Sequence, residues 1–485
     1  MAMNRTGQIW IWVLAFTGWM VSAQGQEVLV SDKISIKDDY AFYLLGKLND
    51  QYLLLRDKET DYIVHAFNNE LEKTWTKKLH LDGRRTEIVD AFGRQDGYYV
   101  LYQFRRKANT FLKIHRYNAS GELTDSLVVK DYGVRFNTPF PLVQYSLHKR
   151  KLLIYNVSRR QVATILFDLD SMRVSGEHEF HLDKALPDDY LFQPLVGDDG
   201  TIVLGYELYN YKSRQRNHRY VLHVLQGGKE RKLTVPAGDF LAVDYHFVLD
   251  PLHHRIIGCG LYAEGNINRA NGVFTFSLDY QTHQDKNLVS LRRIGFSKRL
   301  LASLSGKTGR KSLRGVKDMQ IRDVIPRSDG GLLMLAEEIV VFHRSTIEVP
   351  GRYRRTSPGR MATDYYYQDV FALSVNPNGA PDWHAILYKN QNSQNDEGIY
   401  SSYFLWQNKS SVQLLYNDNI RPRTIVQAFR LHTSGRTKRQ SLFNTGDRDL
   451  LLRLRDGLQI APNEAIFPSQ MRRRLRLVVI RYPEV

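Results

Sequence analysis

The chain repeats one pattern of apolar and polar positions along most of its length. Short runs rich in Val, Ile, Leu, Tyr and Phe alternate with polar turns that contain Asn, Asp or Gly. The clearest copy begins at Glu87 as EIVDAFGRQDGYYVLYQF and continues as FLKIHRYNASGELTDSLVV to Val129. Runs of this composition between such turns predict β-strands, about four in each copy. Outside one insertion, no segment has the pattern of a helix of ordinary length.

Seven copies of this unit follow one another, and the early ones recur about every 50 residues. They cover 42–79, 87–129, 143–180, 192–235, 243–291, 321–387 and 400–443. Four strands per repeat are typical of one propeller blade, so the sequence predicts an all-β protein, a seven- or eight-bladed β-propeller. A pair of β-sandwiches is the structural alternative.

Two further strands, EVLVSDKISI (27–36) and LRLVVIRY (475–482), lie at opposite ends of the repeats without a full unit. A ring of sheets must leave no open edge. We therefore expect the N- and C-terminal strands to pair and close the ring, either by completing a seventh blade or by forming a hybrid eighth. Both ends then belong to one domain, 24–485.

Residues 1–23 have the pattern of a secretory signal peptide. Arg5 is the only charge, the apolar run Ile9–Met20 is short, and small residues occupy Val21-Ser22-Ala23, so cleavage is predicted after Ala23. The alternative, an uncleaved membrane anchor, would need about 20 apolar residues. No second run of that length follows, so no transmembrane span is expected after cleavage.

The turns NNELEKTW (68–75), NASG (118–121) and NPNGAPDW (376–383) resemble the Gly-then-Trp turns of quinoprotein-like and WD40-like propeller repeats. The resemblance implies a Trp packed between neighbouring blades, and it points to no specific family and no quinone site. The signal peptide followed by Gln24-Gly25-Gln26 resembles exported proteins of the Bacteroidetes. That resemblance implies an exported bacterial propeller.

Composition adds an excess of basic residues and a near absence of thiols. The 485 residues include 68 Lys and Arg, 51 Asp and Glu, and one cysteine. Cys259 lies in the apolar run RIIGCGLY, which predicts a buried, inert thiol rather than a nucleophile. With one cysteine there is no internal disulfide, so stability must come from packing.

The basic residues are clustered. From 290 to 317 there are nine Lys or Arg and no acid, and Leu291, Ile294, Leu301 and Leu304 recur at helical spacing. This predicts a short amphipathic helix and a basic loop, inserted between units. A second insertion, 344–369, joins arginines to Tyr365-Tyr366-Tyr367, and a third cluster is Arg472–Arg476. The predicted binding residues are Arg292, Arg293, Lys298, Arg299, Lys307, Arg310, Lys311, Arg314, Arg352, Arg354 and Arg355.

Three units share an Asp near the start of the first strand and another six residues later: Asp90 and Asp96, Asp244 and Asp250, Asp323 and Asp329. A ring of carboxylates at a propeller mouth could act as acid and base, so Asp90, Asp244 and Asp323 are the catalytic candidates. The alternative is structural, since a turn Asp bonds its own backbone and a strand Asp can tie one blade to the next.

A metal is a further possibility at Asp244, His246 and His253, because carboxylate and imidazole are zinc and iron ligands. Alternation puts Asp244 and His246 on one strand face, whereas His253 and His254 lie in a turn, where at most one could join them. The motifs GxSxG, HExxH and CxxC do not occur. No metal and no cofactor is therefore predicted.

These observations predict a non-catalytic binding or assembly scaffold, exported to the periplasm or outer-membrane surface of a bacterium. Guanidinium groups beside aromatic rings suit an acidic protein, an anionic envelope polymer or lipid headgroups. Export argues against nucleic acid as the partner. The alternative function is an envelope enzyme that acts on a polysaccharide at the channel mouth.

Overall fold

The computed structural model describes residues 26–134, 140–184, 194–211, 217–281, 291–305, 314–346, 360–408 and 411–483. The predicted signal peptide lies outside these ranges. The chain is an eight-bladed β-propeller with one short α-helix, Lys298–Ser305. Each of the seven predicted units forms one blade, which confirms the repeat pattern and settles the blade count at eight.

Blades 1 to 4 each contain four antiparallel strands in chain order. Blade 1 consists of Ala41–Leu48, Gln51–Asp57, Tyr62–Phe67 and Lys73–Leu79. Blade 2 consists of Arg84–Arg94, Gly97–Arg106, Asn109–Tyr117 and Leu123–Val134. Blade 3 consists of Leu142–Tyr145, Lys151–Ser158, Gln161–Asp168 and Arg173–His181. Blade 4 consists of Leu195–Val196, Ile202–Leu208, Arg219–Gln226 and Lys229–Pro236.

Blades 5 to 7 keep this order with additions. Blade 5 consists of Leu241–Asp250, Arg255–Ala263, Gly272–Asp279 and Arg292–Gly295. A small ribbon, Arg269–Ala270 with Val316–Lys317, lies beside it. Blade 6 consists of Met319–Pro326, Leu332–Thr346, Arg360–Val375 and Pro381–Leu387, with Gln391–Gln394 added to its third strand. Blade 7 consists of Phe404–Gln407, Ser411–Asn417, Ile425–His432 and Thr437–Asn444, followed by the short 3₁₀ turns Gly446–Arg448 and Leu454–Asp456.

Blade 8 is built from both ends of the chain. Leu458–Ala461, Glu464–Met471 and Arg474–Arg481 supply three strands, and Glu27–Val30 pairs with the third. Ile34–Ser35 pairs with the start of that same strand. The predicted closure by the terminal strands is confirmed in its hybrid form. The strands between 458 and 471 were not recognised from the sequence.

The apolar core is divided among the interfaces between blades. Eight buried clusters occur, and each joins residues of two neighbouring blades, including one between blades 8 and 1. The second strand of a blade is covered on both sides, so Gly97–Arg106 is buried over almost all of its length. Each blade therefore gains its stability from its neighbours, and the ring needs all eight interfaces.

Two tryptophans pack against the next blade, as the turn resemblance implied. The Trp383 indole donates to the Thr433 carbonyl at 2.9 Å, and a Cβ on Gly435 would approach Trp383 to 2.7 Å. Trp75 similarly lies against Gly121, where a Cβ would come within 3.3 Å of its ring. Both glycines have left-handed backbone, φ +77° and φ +73°. Glycine is required at these turns for both reasons.

Cys259 is fully buried, with its Sγ 3.4 Å from the Met334 Sδ. Burial raises the pKa of this thiol to about 12. Since the thiolate is the reactive form of cysteine, this environment suits an inert core residue.

Candidate anion-binding face

The order of strands assigns every loop to one of two faces. The first strands of several neighbouring blades contact each other, as in blades 1 and 2 and in blades 5 and 6, which places them innermost in the ring. Because the strands are antiparallel, the loops between second and third strands lie on the same face as the connections from blade to blade. We call this the connection face; it carries 31–40, 296–305, the base of the blade 6 hairpin and 472–473. The opposite face, with turns such as 49–50 and 433–436, is the turn face.

The first predicted insertion, 290–317, is partly a blade strand. Arg292–Gly295 forms the fourth strand of blade 5, so the predicted helix does not include Leu291 or Ile294. Those two side chains pack against the clusters on either side of blade 5. Residues an odd number of positions apart along extended chain point to opposite faces of the sheet. These two side chains, three positions apart, therefore contact different neighbouring blades.

The same alternation separates the first two predicted binding residues. Arg293 extends toward blade 4, where its Nη1 lies 3.1 Å from Asp239 Oδ1. Arg292 extends toward blade 6 and lines a cavity of about 630 Å³ that also involves His253. These two arginines therefore cannot contact one ligand group together.

The helix Lys298–Ser305 anchors through Leu301 and Leu304, which are buried in the cluster between blades 5 and 6. Lys298 and Arg299 are exposed on its outer side, and Arg314 is exposed after it. The amphipathic prediction is confirmed for this shorter helix. The other predicted binding residues, Lys307, Arg310, Lys311, Arg352, Arg354 and Arg355, lie outside the described residues.

The second insertion, 344–369, extends the two middle strands of blade 6 into a β-hairpin arm. The strands stay paired from Leu332 with Val375 out to Thr346 with Arg360. Gln391–Gln394 adds a third strand along Asp364–Tyr367. The Arg344 guanidinium forms an ion pair with Asp364, at 2.6 Å. The arm projects from the connection face, where the insertions were expected to lie together.

A further group of cations lies elsewhere on this face, between blades 7 and 8. A cavity of about 820 Å³ is lined by six basic residues and one acid, Asp449. We call it the basic pocket; its cations are Lys33, Lys37, Arg472, Arg473, Arg474 and Arg476. The sequence identified the arginines as a third basic cluster. It did not connect them with Lys33 and Lys37, which the closing segment brings beside them.

Most of these cations have no counter-ion among the described residues. Lys33 pairs with Asp449 at 3.2 Å, and Arg476 donates to the Arg448 carbonyl at 2.6 Å. In the part of the chain that the structure describes, no carboxylate lies within ion-pair distance of Lys37, Arg472, Arg473 or Arg474. Uncompensated guanidinium and ammonium groups around one cavity create a positive potential that attracts anions.

The three catalytic candidates each bond to the next blade. Tyr145 of blade 3 donates its hydroxyl to Asp90. The amide of Ile321, in blade 6, donates to Asp244 Oδ2 at 2.7 Å. The hydroxyl of Tyr403, at the start of blade 7, donates to Asp323 Oδ2 at 2.7 Å. These bonds match the structural alternative, in which a strand Asp ties one blade to its neighbour.

The second Asp of each pair serves its own turn. Asp96 accepts from the Tyr99 hydroxyl at 2.9 Å, Asp250 accepts from Arg255 Nε at 2.8 Å, and Asp329 accepts from the Gly331 amide at 2.9 Å. These contacts support the structural alternative for the second Asp of every pair.

The metal candidates are divided between two places. His246 lies near enough to Asp244 to interact with it electrostatically. His253 instead bonds Asp250 through Nδ1 at 2.9 Å, in the turn that follows the strand. Among the described residues, no group of three His, Cys, Asp or Glu is arranged to hold a metal ion.

The structure also contains a buried ion pair that the sequence did not indicate. Glu337 Oε1 lies 2.5 Å from Lys389 Nζ, and both side chains are almost completely buried. Lys389 also donates to the Tyr367 carbonyl at 3.1 Å, and Ser402 donates to Glu337 at 2.6 Å. No local pattern links two residues this far apart in the chain, so the pair emerges only from the folded blade.

Burial gives the tying carboxylates a testable pH dependence. It raises the pKa of Asp323, so the native state holds this proton more tightly than the unfolded chain does. Its contribution to stability is thus full below the pKa of an unfolded Asp and is lost as pH rises through the native pKa. We therefore expect the stability of Asp323→Asn to vary less with pH than that of the wild type between pH 3 and 8. The urea unfolding midpoint measures this stability. An unchanged profile would contradict this assignment.

Comparisons with known proteins show similarity of fold only. No protein-family model and no curated protein matches the chain. Among solved structures, the Dos1 propeller has 8% identity and a TM-score of 0.41, covering 93% of this chain and 95% of that one. An oligogalacturonate lyase in complex with manganese has 11% identity and a TM-score of 0.37, covering 94% and 99%. A prolyl endopeptidase has 11% identity and a TM-score of 0.40, covering 84% of this chain. The chain spans about half of the prolyl endopeptidase.

Proposed function

We propose that this chain is an exported, non-catalytic binding protein of the bacterial envelope, and that its connection face holds an anionic partner. The partner would be an envelope polymer or an acidic protein segment that carries closely spaced carboxylates or phosphates. Its docking site would be the basic pocket, with Lys298, Arg299 and Arg314 as additional contacts on the same face. Among the described residues, no helix is long and apolar enough to cross a membrane.

One observation carries this proposal: four cations of the basic pocket lack a counter-ion among the described residues. Like charges this close repel one another, and a polyanion relieves that repulsion. Arginine also donates two parallel N–H hydrogen bonds to a carboxylate or phosphate, which makes the electrostatic attraction directional. The cavity is large enough to enclose such groups on a flexible chain.

The alternative, an enzyme acting on a polysaccharide at the channel mouth, would need carboxylates free to exchange protons with a substrate. Asp90, Asp244 and Asp323 instead accept hydrogen bonds from neighbouring blades. These contacts favour the binding function. Under the enzyme hypothesis, replacing Asp90, Asp244 or Asp323 with Asn would abolish turnover and leave the melting temperature nearly unaltered.

The binding proposal is tested by charge reversal. Arg472→Glu with Arg473→Glu should lower the affinity for polyglutamate and for inorganic polyphosphate by about tenfold or more at 0.1 M salt. Wild-type affinity should itself fall steeply between 0.1 and about 0.5 M salt, because exposed charges are screened there. Fluorescence anisotropy of labelled polymer measures both.

The matched control reverses two basic residues away from the pocket. Arg436→Glu with Lys438→Glu makes the same change in net charge, and both residues are exposed, on or next to the turn face of blade 7. This variant should keep most of the wild-type affinity. Equal losses in the two variants would show a response to net charge alone and would refute the pocket as the site.

A further inference from the structure

A polar groove lies between blades 6 and 7, apart from the basic pocket. Its volume is about 420 Å³. We call it the Tyr388 groove; its lining includes Asp369, Tyr388, Asn390, Asn392, Asn419 and Arg439. Tyr388 is 58% exposed, so its ring is accessible to a ligand from solvent.

The backbone from Tyr388 to Asn392 is held so that alternate side chains point outward. Lys389 and Gln391 are buried, through the ion pair with Glu337 and a bond from Gln391 Nε2 to the Asn417 carbonyl at 2.7 Å. Tyr388, Asn390 and Asn392 are exposed between and beside them. The extended chain thus presents one aromatic ring and two carboxamides along one side, and the buried side chains of Lys389 and Gln391 hold it in place.

The amide side chains of the groove are available to bind a ligand. Within the described ranges, the carboxamides of Asn390, Asn392 and Asn419 make no side-chain hydrogen bond. Each offers two donors and an acceptor. The charged groups are already paired: Arg439 donates to Asp418 at 2.6 Å, and the Lys389 amide donates to Asp369 at 3.0 Å. The groove therefore carries free hydrogen-bonding groups with nearly balanced charge.

This combination matches the chemistry of an uncharged sugar. Sugar hydroxyls donate and accept at once, which suits carboxamides, and the C–H face of a pyranose ring packs on an aromatic ring. A phosphate or carboxylate ligand would instead need unpaired cations, which the described lining does not provide. We propose that the Tyr388 groove is a binding site for a neutral pyranose unit of a glycan. The inference stands apart from the proposed anion binding.

The test uses isothermal titration of wild-type protein with maltohexaose, cellohexaose, mannohexaose and chitohexaose, each up to about 10 mM. At least one should bind, and Tyr388→Ala should weaken that binding about tenfold or more, which corresponds to about 1.4 kcal/mol. Asn392→Ala should weaken it by a smaller factor, because one hydrogen-bonding group is lost. Thermal unfolding of both variants should match wild type, since the side chains are exposed.

Two controls separate the groove from the rest of the surface. Tyr40→Ala removes another exposed tyrosine, 85% exposed and outside the groove, and should leave binding unchanged. The Arg472→Glu, Arg473→Glu variant should also bind the sugar normally, so failure of the anion proposal would not affect this result. If no hexasaccharide binds, or if Tyr388→Ala binds as wild type does, the proposal is wrong.

Discussion

A chain that begins at Lys37 is expected to lose about 5 kcal/mol or more of stability, a large part of the roughly 5–15 kcal/mol of a typical domain. It lacks Glu27–Val30 and Ile34–Ser35, which pair with the last strand. Without them Arg474–Arg481 loses its partner strands and becomes the outer edge of blade 8. The urea unfolding midpoint, followed by circular dichroism, measures the loss.

The expected size follows from what the closing segment contributes. Val28 and Val30 pack on the cluster between blades 7 and 8, and Leu29, Ile34 and Ile36 pack on the cluster between blades 8 and 1. Full burial of each such side chain is worth about 1.5–3 kcal/mol, and these are partly buried. The Ser31 amide also donates to the Leu477 carbonyl, and the Leu477 amide donates to the Ser31 hydroxyl, both at 2.9 Å.

The control supplies the missing strand as a separate peptide. A synthetic peptide of residues 26–37 should raise the midpoint of the shortened protein in proportion to the logarithm of its concentration, once its binding site is nearly saturated. The same peptide with Leu29→Asp should fail, because it would bury a charge in the cluster between blades 8 and 1. A shortened chain as stable as the full one would disprove closure by these strands.

Lys389→Met is expected to cost about 3–5 kcal/mol at neutral pH. The substitution leaves Glu337 buried with Ser402 and the more distant Arg322, whose Nε is 3.7 Å away, as its polar neighbours. Urea unfolding at pH 7 measures the cost.

The double variant supplies the control. Lys389→Met with Glu337→Gln removes both charges, so it should recover most of the loss. Recovery shows that the penalty comes from an unpaired charge rather than from altered packing. If the single and double variants are equally unstable at neutral pH, the loss of the ion pair is not the cause.

Much of the fold could be predicted because it is written in local patterns. Alternating apolar positions and the turn residues between them identified seven blades, and the Trp-containing turns anticipated Trp75 and Trp383. Burial nearly alternates from residue to residue on strands such as Asn109–Tyr117, so a single strand already shows the pattern. The helix prediction erred at Leu291 and Ile294 because a short apolar pattern fits strand and helix alike.

The candidate site was predicted less completely. The sequence marked the arginines of 472–476 and the insertions that lie on the same face, but not Lys33 and Lys37 beside those arginines. It left both a catalytic and a structural role open for the Asp residues. Their partners were out of reach of local patterns, because Tyr145 lies 55 residues from Asp90 and Tyr403 lies 80 residues from Asp323. Such contacts depend on how blades meet.

By itself, the sequence determined a repeated four-stranded unit, the need for closing strands at both ends, a basic excess concentrated in a few loops, and a lone thiol in the core. The tertiary structure alone decided that the ends form an eighth blade, that Lys33 joins Arg472 around one pocket, and that Lys389 meets Glu337. The physical reason is the distance along the chain over which each effect acts. Alternation and turn chemistry act over a few residues, whereas pairing across the ring depends on the geometry of all eight blades together.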